Sequence, residues 1–157
     1  MRTLLLGMGN PILCDDAVGV RLARDFKKQL SGIPGLSIVE ECPLGGLNLL
    51  DVLEGYDRVI VLDAMLMAQG EPGDWCHFTA EALRETLNLT SIHDANFATV
   101  LHLGRRLGME LPESGNIHIF AVKAARVLDF SDRMTPELEL RYPEYSAAIL
   151  AEVRQLL

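Results

Sequence analysis

Three positions that are far apart in the sequence carry side chains that could bind one metal ion together. Asp15 and Asp16 follow a short apolar run near the amino terminus, Asp63 follows a second apolar run, and His93 precedes a segment with helical periodicity. Two carboxylates and one neutral imidazole suit a divalent transition ion such as nickel or zinc. Three such ligands leave coordination positions open, so the pattern favours a labile metal or one that arrives on a substrate.

Each of these residues also has an ordinary structural interpretation. An aspartate at the start of a helix usually accepts hydrogen bonds from exposed backbone N–H groups, and Asp15 or Asp16 could do no more than that. Asp63 could cap a turn, and a single loop histidine more often forms surface hydrogen bonds than binds a metal. From spacing alone, metal binding and these structural roles both stay open.

The elements that would position these side chains alternate between strand and helix. Short apolar runs predict strands at 3–6, 36–41, 58–62 and 116–122 and an edge strand at 74–78. Periodicity and start signals predict helices at 16–30, 46–54, 79–87, 94–107 and from 135 onward, the last with a break or kink at Pro143. This alternation predicts an α/β fold, namely a three-layer αβα sandwich with a twisted, mostly parallel central sheet. Ligands bind at the carboxyl ends of the strands in such sheets, where Asp15 or Asp16 could converge with Asp63 and His93.

Length and composition restrict the class of protein. The 157 residues are 49% hydrophobic, which predicts one domain spanning residues 1–157. The apolar runs are far shorter than the roughly 20 residues of a membrane span, and the amino terminus has no signal-peptide pattern. A net charge of −8 disfavours nucleic acid as a partner. The cysteines are odd in number and widely spaced, which indicates reduced thiols and a cytoplasmic protein.

Other features have weaker chemical signals. Cys14 near a helix start could act as a nucleophile, but no base is evident nearby, which favours a packing role. Gly7-Met8-Gly9 follows a strand as in dinucleotide-binding turns, yet the next residues do not complete G-x-G-x-x-G. His77, His102 and His118 show no paired metal-binding spacing, so we expect structural or surface roles for them.

The segment 7–20, with the sequence GMGNPILCDDAVGV, closely resembles the amino-terminal signature of the hydrogenase maturation protease family. The resemblance continues through residues 46–50, 62–64, 91–94 and 134–137, and so covers nearly the whole chain. It implies a twisted sheet between helices and an endopeptidase that removes the C-terminal extension of a [NiFe]-hydrogenase large-subunit precursor. It also implies that Asp16, Asp63 and His93 bind nickel, which the precursor supplies and which serves as the recognition element.

The same resemblance suggests which residues contact the substrate. They are Asn10, Asp15, Cys42, Gly45 and Gly46. Two departures from the family pattern are present. Asp16 stands where many members have glutamate, which shortens the reach to a metal by one methylene. The segment 41–44, ECPL, replaces a loop that is often Asp-Gly-Gly-Thr, which suggests that the chain serves a different hydrogenase subgroup.

Two alternatives to a protease are compatible with parts of the sequence. The same three ligands would suit a nickel-dependent assembly chaperone that binds the large subunit without cutting it. The opening Leu-Leu-Gly-x-Gly-Asn-Pro resembles peptidyl-tRNA hydrolase, but Cys14-Asp15-Asp16 stands in place of that family's next motif, and the acidic charge disfavours tRNA. A change in the mass of the precursor would separate cleavage from binding.

Overall fold

The computed structural model describes residues 1–42, 47–82 and 94–157, with only the backbone described at 94–98. The strands of this part are β1 (Thr3–Met8), β2 (Leu36–Cys42), β3 (Arg58–Met65), β4 (Trp75–Thr79) and β5 (Ile117–Lys123). The helices longer than one turn are α1 (Val18–Leu30), α2 (Asn48–Leu53), α3 (Asp94–Arg106) and α4 (Pro136–Leu156). A 3-10 turn, Cys14–Ala17, leads directly into α1.

The described strands form one sheet in the order β2-β1-β3-β5-β4. β1 pairs in parallel with β2 and β3, and β3 pairs in parallel with β5. β4 pairs antiparallel with β5, and it lies at the edge of the sheet, as predicted from the sequence. All six residues of β1 are buried, because the strand is covered by helices on both faces. The prediction of a mostly parallel sheet is confirmed.

The two faces of the sheet carry separate apolar cores. On one face, α1 and α4 pack against alternate strand residues, and the core includes Phe26, Ile60, Phe120 and Tyr145. On the other face, α2 and α3 pack against the intervening strand residues, and the core includes Leu4, Leu6, Leu53 and Leu101. Because side chains alternate along a strand, both layers draw on the same strands. The three-layer αβα arrangement is therefore confirmed.

The apolar residues whose spacing predicted α1 are all buried in the structure. Val18, Leu22, Phe26 and Leu30 recur every fourth residue, and each is almost completely buried against the sheet. The helix begins two residues later than predicted, because the 3-10 turn occupies the preceding positions. The predicted capping by Asp15 or Asp16 is wrong, since Ala17 stands at the N-cap and makes no side-chain cap hydrogen bond.

The predicted break at Pro143 is also wrong. α4 runs without interruption for 21 residues through this proline. Proline removes one backbone hydrogen bond and costs roughly 3 kcal/mol in a helix interior. Here the buried stripe that includes Leu138, Tyr145, Ile149 and Val153 offsets that loss by packing on the sheet.

Other element boundaries differ from the predictions by a few residues. β3 extends to Met65, three residues beyond the predicted end, so Asp63 lies inside the strand and pairs with Ala121 of β5. α2 begins at Asn48, and Gly46, the predicted start, lies outside the described residues. Most of the helix predicted at 79–87 also lies outside them. No helix in the described ranges has the length and apolar character required to cross a bilayer.

Candidate active site

The topology of the sheet creates one crevice, between the carboxyl ends of β1 and β3. The chain leaves β1 toward β2 on one side, and after β2 it returns to β3 on the other side of β1. Connections that leave in opposite directions form the switch point at which α/β sheets bind ligands. Gly7 pairs with Leu62 and β1 ends one residue later, at Met8, so Asp63 lies at the level where β1 ends and borders the crevice.

Gly19 allows α1 to approach this crevice closely. A Cβ atom at this position would overlap the carbonyl oxygens of Met8, the last residue of β1, and of Leu62, the residue before Asp63 in β3. The first turn of α1 therefore packs directly on the carboxyl edge of the sheet, and the preceding 3-10 turn contacts β3. Asp16 belongs to that turn, so it reaches the edge at which Asp63 is located.

The loop after β1 fixes the Asp16 carboxylate. The backbone N–H of Asn10 donates a hydrogen bond to Asp16 Oδ2 at 2.8 Å. Gly9 adopts a positive φ of 123°, and a Cβ there would overlap the carbonyl oxygen of Asp16. The Asn10 side chain in turn accepts a hydrogen bond from the Ile12 backbone N–H at 3.1 Å. Asp16 is buried by these contacts and has a defined orientation.

Asp63 is held by the strand itself. It is buried within β3, and its Oδ1 accepts a hydrogen bond from the Ala64 backbone N–H at 2.8 Å. Its partner across the sheet is Ala121, whose small side chain adds little bulk next to it. The negative charge of carboxylates at this edge would favour a bound cation.

The third predicted ligand, His93, lies outside the described residues, as do Gly45 and Gly46. α3 begins at Asp94, directly after His93, which agrees with the predicted helix start. Among the side chains of residues 1–42, 47–82 and 99–157, no three His, Cys, Asp or Glu residues are grouped so that they could hold a metal. Of the three predicted ligands, only Asp16 and Asp63 lie in the described part of the chain.

Asp15 points away from this crevice and is completely buried. Its carboxylate accepts hydrogen bonds from the backbone N–H groups of Thr135 at 2.7 Å, Ala125 at 2.8 Å and Arg126 at 3.0 Å. The Thr135 hydroxyl donates a further bond. Asp15 thus ties the 3-10 turn to the loop after β5 and to the start of α4. This placement favours a structural role over the predicted contact with substrate.

The sequence model of the family described as hydrogenase maturation protease matches residues 20–152, which is most of the chain. The chain belongs to the hydrogenase maturation protease family. The predicted family is therefore confirmed, together with the endopeptidase class of hydrolase. No comparison favours peptidyl-tRNA hydrolase or a chaperone that does not cleave.

Relatives of this protease support the same assignment. It is 30% identical over 114 residues to the hydrogenase 2 maturation protease of Escherichia coli K12, covering 72% of this chain and 68% of the relative. The fold is similar to that of the hydrogenase maturating endopeptidase HybD from E. coli, with a TM-score of 0.76 and 26% identity. That comparison covers 99% of this chain and 93% of the other. HybD from Thermococcus kodakarensis, at 21% identity and a TM-score of 0.70, covers 99% of both chains and shows the same fold.

Cys14 and Cys42 of the protease are buried in the structure. Cys14 is buried, and burial raises the pKa of its thiol, as does the neighbouring Asp15 carboxylate. A raised pKa disfavours the thiolate that a nucleophile needs, so the packing interpretation of Cys14 is supported. Cys42, predicted to contact the substrate, is the last residue of β2 and is buried in the core beneath α2 and α3.

Spacing along the chain did not reveal that two histidines of the protease form a pair. His77 Nε2 lies 3.0 Å from His118 Nδ1, and His77 Nδ1 lies 3.2 Å from Glu152 Oε2 of α4. Burial lowers the pKa of His118, and the positive charges of His77 and Arg58 lower it further. The residues come from adjacent strands, β4 and β5, and only the antiparallel register brings them together. His118 is near the amino end of β5, away from the crevice.

Proposed function

We propose that this protease removes the C-terminal extension of a [NiFe]-hydrogenase large-subunit precursor after nickel has been inserted. The observation that carries the proposal is that the 3-10 turn with Asp16 contacts β3, the strand that carries Asp63, beside the switch point of the sheet. Membership of the hydrogenase maturation protease family supports the substrate class, because it assigns the cleavage to hydrogenase assembly.

The nickel belongs to the substrate in this proposal. Asp16, Asp63 and His93 complete the coordination of the ion that the precursor carries. The two described carboxylates suit such a task, because both are buried and hydrogen bonds from backbone N–H groups fix their orientation. Their oxygen atoms and an imidazole nitrogen are donors that a divalent transition ion accepts.

Docking of the ion positions the tail for hydrolysis. Holding the reacting groups in a productive geometry can supply several kcal/mol of the barrier reduction, roughly 7–11 kcal/mol in the best intramolecular cases. The ion can polarise the scissile carbonyl or activate the water that attacks it. The protein contributes by fixing Asp16 through Asn10 and by holding Asp63 in the rigid strand β3.

The same geometry makes nickel a checkpoint. A precursor without nickel offers the two carboxylates no cation to bind, so its tail is not held against the protease. Cleavage therefore follows nickel insertion and does not precede it.

We place this activity in the cytoplasm, because the odd number and wide spacing of the cysteines favour a reducing compartment. The net charge of −8 argues against a nucleic-acid partner.

Intact-mass measurement of the precursor tests the proposal. Nickel-loaded and nickel-free precursors are incubated with the wild-type protease, with Asp16→Asn and with His93→Ala. Glu54→Gln, which removes an exposed carboxylate at the end of α2, is the matched control. We expect loss of a C-terminal fragment only from nickel-loaded precursor, and only with the wild type and the control.

Two results would contradict the proposal. Cleavage of the nickel-free precursor at the same rate as the nickel-loaded precursor would show that nickel is not the recognition element. Stable binding of the nickel-loaded precursor by the wild type, with no change in its mass, would instead support the chaperone that does not cleave.

A further inference from the structure

Large apolar side chains are exposed preferentially at the carboxyl edge of the sheet. Ten large hydrophobic residues are exposed in the described part of the chain, and five of them lie on loops that follow parallel strands. These five are Ile12 after β1, Leu47 after β2, Leu66 after β3, and Leu128 and Phe130 after β5. Each parallel strand in this part thus ends in a loop that presents an apolar side chain beside the crevice.

Ile12 and Phe130 lie side by side. Leu13 and Ser131 form a parallel bridge, in which the Ser131 N–H donates to the Ile12 carbonyl at 3.0 Å. The residues that precede a bridged parallel pair are also neighbours and point to the same side. Ile12 is 53% exposed, Phe130 84% and Leu128 78%, so these three residues, here named the apolar rim, are all exposed on the two loops that this bridge joins.

The loop that carries Leu128 and Phe130 is fixed by hydrogen bonds on both sides of these residues. Asp15 accepts hydrogen bonds from Ala125 and Arg126 at the start of the loop that carries Leu128 and Phe130. The Ser131 hydroxyl accepts from the Arg133 N–H at 3.1 Å and donates to the Arg133 carbonyl at 2.9 Å. A surface that is ordered before binding loses less conformational entropy on contact with a partner. Exposed apolar side chains on such an ordered loop are typical of an interaction site.

The apolar rim is continuous with the active site. Ile12 is two residues from Asn10, whose N–H binds Asp16 Oδ2, and the carbonyl of Leu13 accepts a hydrogen bond from the Asp16 N–H at 3.1 Å. A protein that brings its metal ion to Asp16 and Asp63 must therefore lie over Ile12. The surface that meets the rim belongs to the same molecule that carries the ion.

The charges around the rim are balanced. Arg126 and Asp129 form an exposed ion pair at 3.3 Å, and Asp132 and Arg133 follow within four residues. Two acidic and two basic side chains give no net field that would select a strongly charged partner. The contact that this surface favours is apolar, and its strength should depend little on ionic strength.

We propose that the apolar rim is a docking surface for the folded body of the large-subunit precursor, separate from the crevice that receives the tail. This inference rests on the function proposed above. The partner surface it requires is an apolar patch beside the base of the tail. Binding at the apolar rim requires that the precursor is folded. Binding at Asp16 and Asp63 requires that the precursor carries nickel.

Kinetics with single substitutions test the docking surface. Phe130→Ser and Leu128→Ser are compared with Leu107→Ser, which removes a 68% exposed leucine just after α3, near the amino ends of the strands. We expect KM for the nickel-loaded precursor to rise about tenfold in the rim variants, with kcat within twofold of the wild type. The control should leave both constants unchanged. Thermal unfolding checks that all three variants stay folded.

A binding measurement separates failure of this inference from failure of the proposed function. The dissociation constant of the nickel-loaded precursor is measured by interferometry, which does not require cleavage. A tenfold weaker complex for Phe130→Ser supports the rim even if no fragment is released. Unchanged KM and unchanged affinity in both rim variants overturn it. A wild-type dimer that Phe130→Ser converts to monomers also overturns it, since the rim would then bind a second copy of the chain.

Discussion

Asp15 and Asp16 are adjacent and chemically identical, yet the fold gives them different surroundings. Asp15 faces the loop after β5 and the start of α4, where backbone N–H groups and the Thr135 hydroxyl surround its carboxylate. Asp16 faces the crevice and receives the N–H of Asn10. Asp15 therefore joins two distant segments of the fold, whereas Asp16 lies at the crevice.

Asp15→Asn should destabilise the fold. An amide has one acceptor oxygen in place of two, and its NH2 group would face backbone donors that now have no acceptor. We expect a loss of about 2–3 kcal/mol in the free energy of unfolding, measured by urea denaturation. Asp16→Asn is the matched variant, and its unfolding free energy should stay within about 1 kcal/mol of the wild type. Equal stability of Asp15→Asn and the wild type would contradict the structural role.

The residues of the site were predictable to different degrees. The resemblance of the segment 7–20 to a known family singled out Asp16, and an apolar run singled out Asp63. The partners of Asp15 are more than 100 residues away, at the end of β5 and the start of α4. No local pattern encodes such a contact, so the sequence allowed capping, which the structure does not show.

At the scale of elements, the approach of α1 to the ends of β1 and β3 sets the geometry of the crevice. This approach depends on the absence of a side chain at Gly19. Helical periodicity predicted α1 from its buried stripe, but periodicity does not show how closely a helix can approach a sheet. That distance follows from backbone atoms of Leu62 and Met8, which only the assembled fold brings together.

Gly19→Ala should displace the first turn of α1 from the sheet. The added Cβ would overlap backbone oxygens, which cannot rotate away as a side chain can. We expect a loss of about 1–3 kcal/mol in unfolding free energy and at least a tenfold loss of precursor cleavage, because Asp16 moves with the turn. Gly115→Ala is the control, since a Cβ there meets only the end of the Glu81 side chain. Equal effects of the two substitutions would contradict this account.

The histidine pair joins β4 to β5 and to α4, and it should make stability depend on pH. The pKa of His118 is lowered by burial and by His77 and Arg58, while Glu152 lies against the other side of His77. In the unfolded chain the pKa of this imidazole is about 6.5. As the pH falls, the unfolded state therefore binds a proton at His118 before the folded state does. The stability contributed by neutral His118 is thus present above about pH 6.5 and is lost as the pH falls below it.

His118→Gln should weaken that pH dependence. The melting temperature is measured at about pH 7.5 and about pH 5.5, on either side of the unfolded-state pKa. We expect the wild type to lose more thermal stability over this interval than the variant does. An equal loss in both proteins would show that His118 does not govern the titration.

The element boundaries show where sequence patterns stop being informative. The continuous helix α4 through Pro143 depends on packing against the sheet, which outweighs a local penalty that the sequence does show. The extension of β3 to Met65 depends on pairing with β5, which lies more than 50 residues away. Local propensity predicted that these elements exist, and tertiary pairing decided where they end.

At the scale of the whole molecule, the sheet separates structural and functional surfaces. Helices cover both faces, and the carboxyl edge between them carries Asp16, Asp63 and the apolar rim. The sequence predicted this edge as the ligand side, because strand and helix alternate along the chain. The exposed side chains of the rim could not be predicted, since an apolar residue in a loop gives no sign of whether it is buried.

The most direct test of the account is the rate at which Asp63→Asn releases the C-terminal fragment of the nickel-loaded precursor, followed by intact mass. Asparagine retains an oxygen for the Ala64 N–H and the shape of the buried side chain, but it loses the charge that binds a cation. We predict a melting temperature within a few degrees of the wild type and cleavage reduced at least 100-fold. Cleavage at the wild-type rate would show that the carboxylates at the switch point do not act on the metal of the precursor.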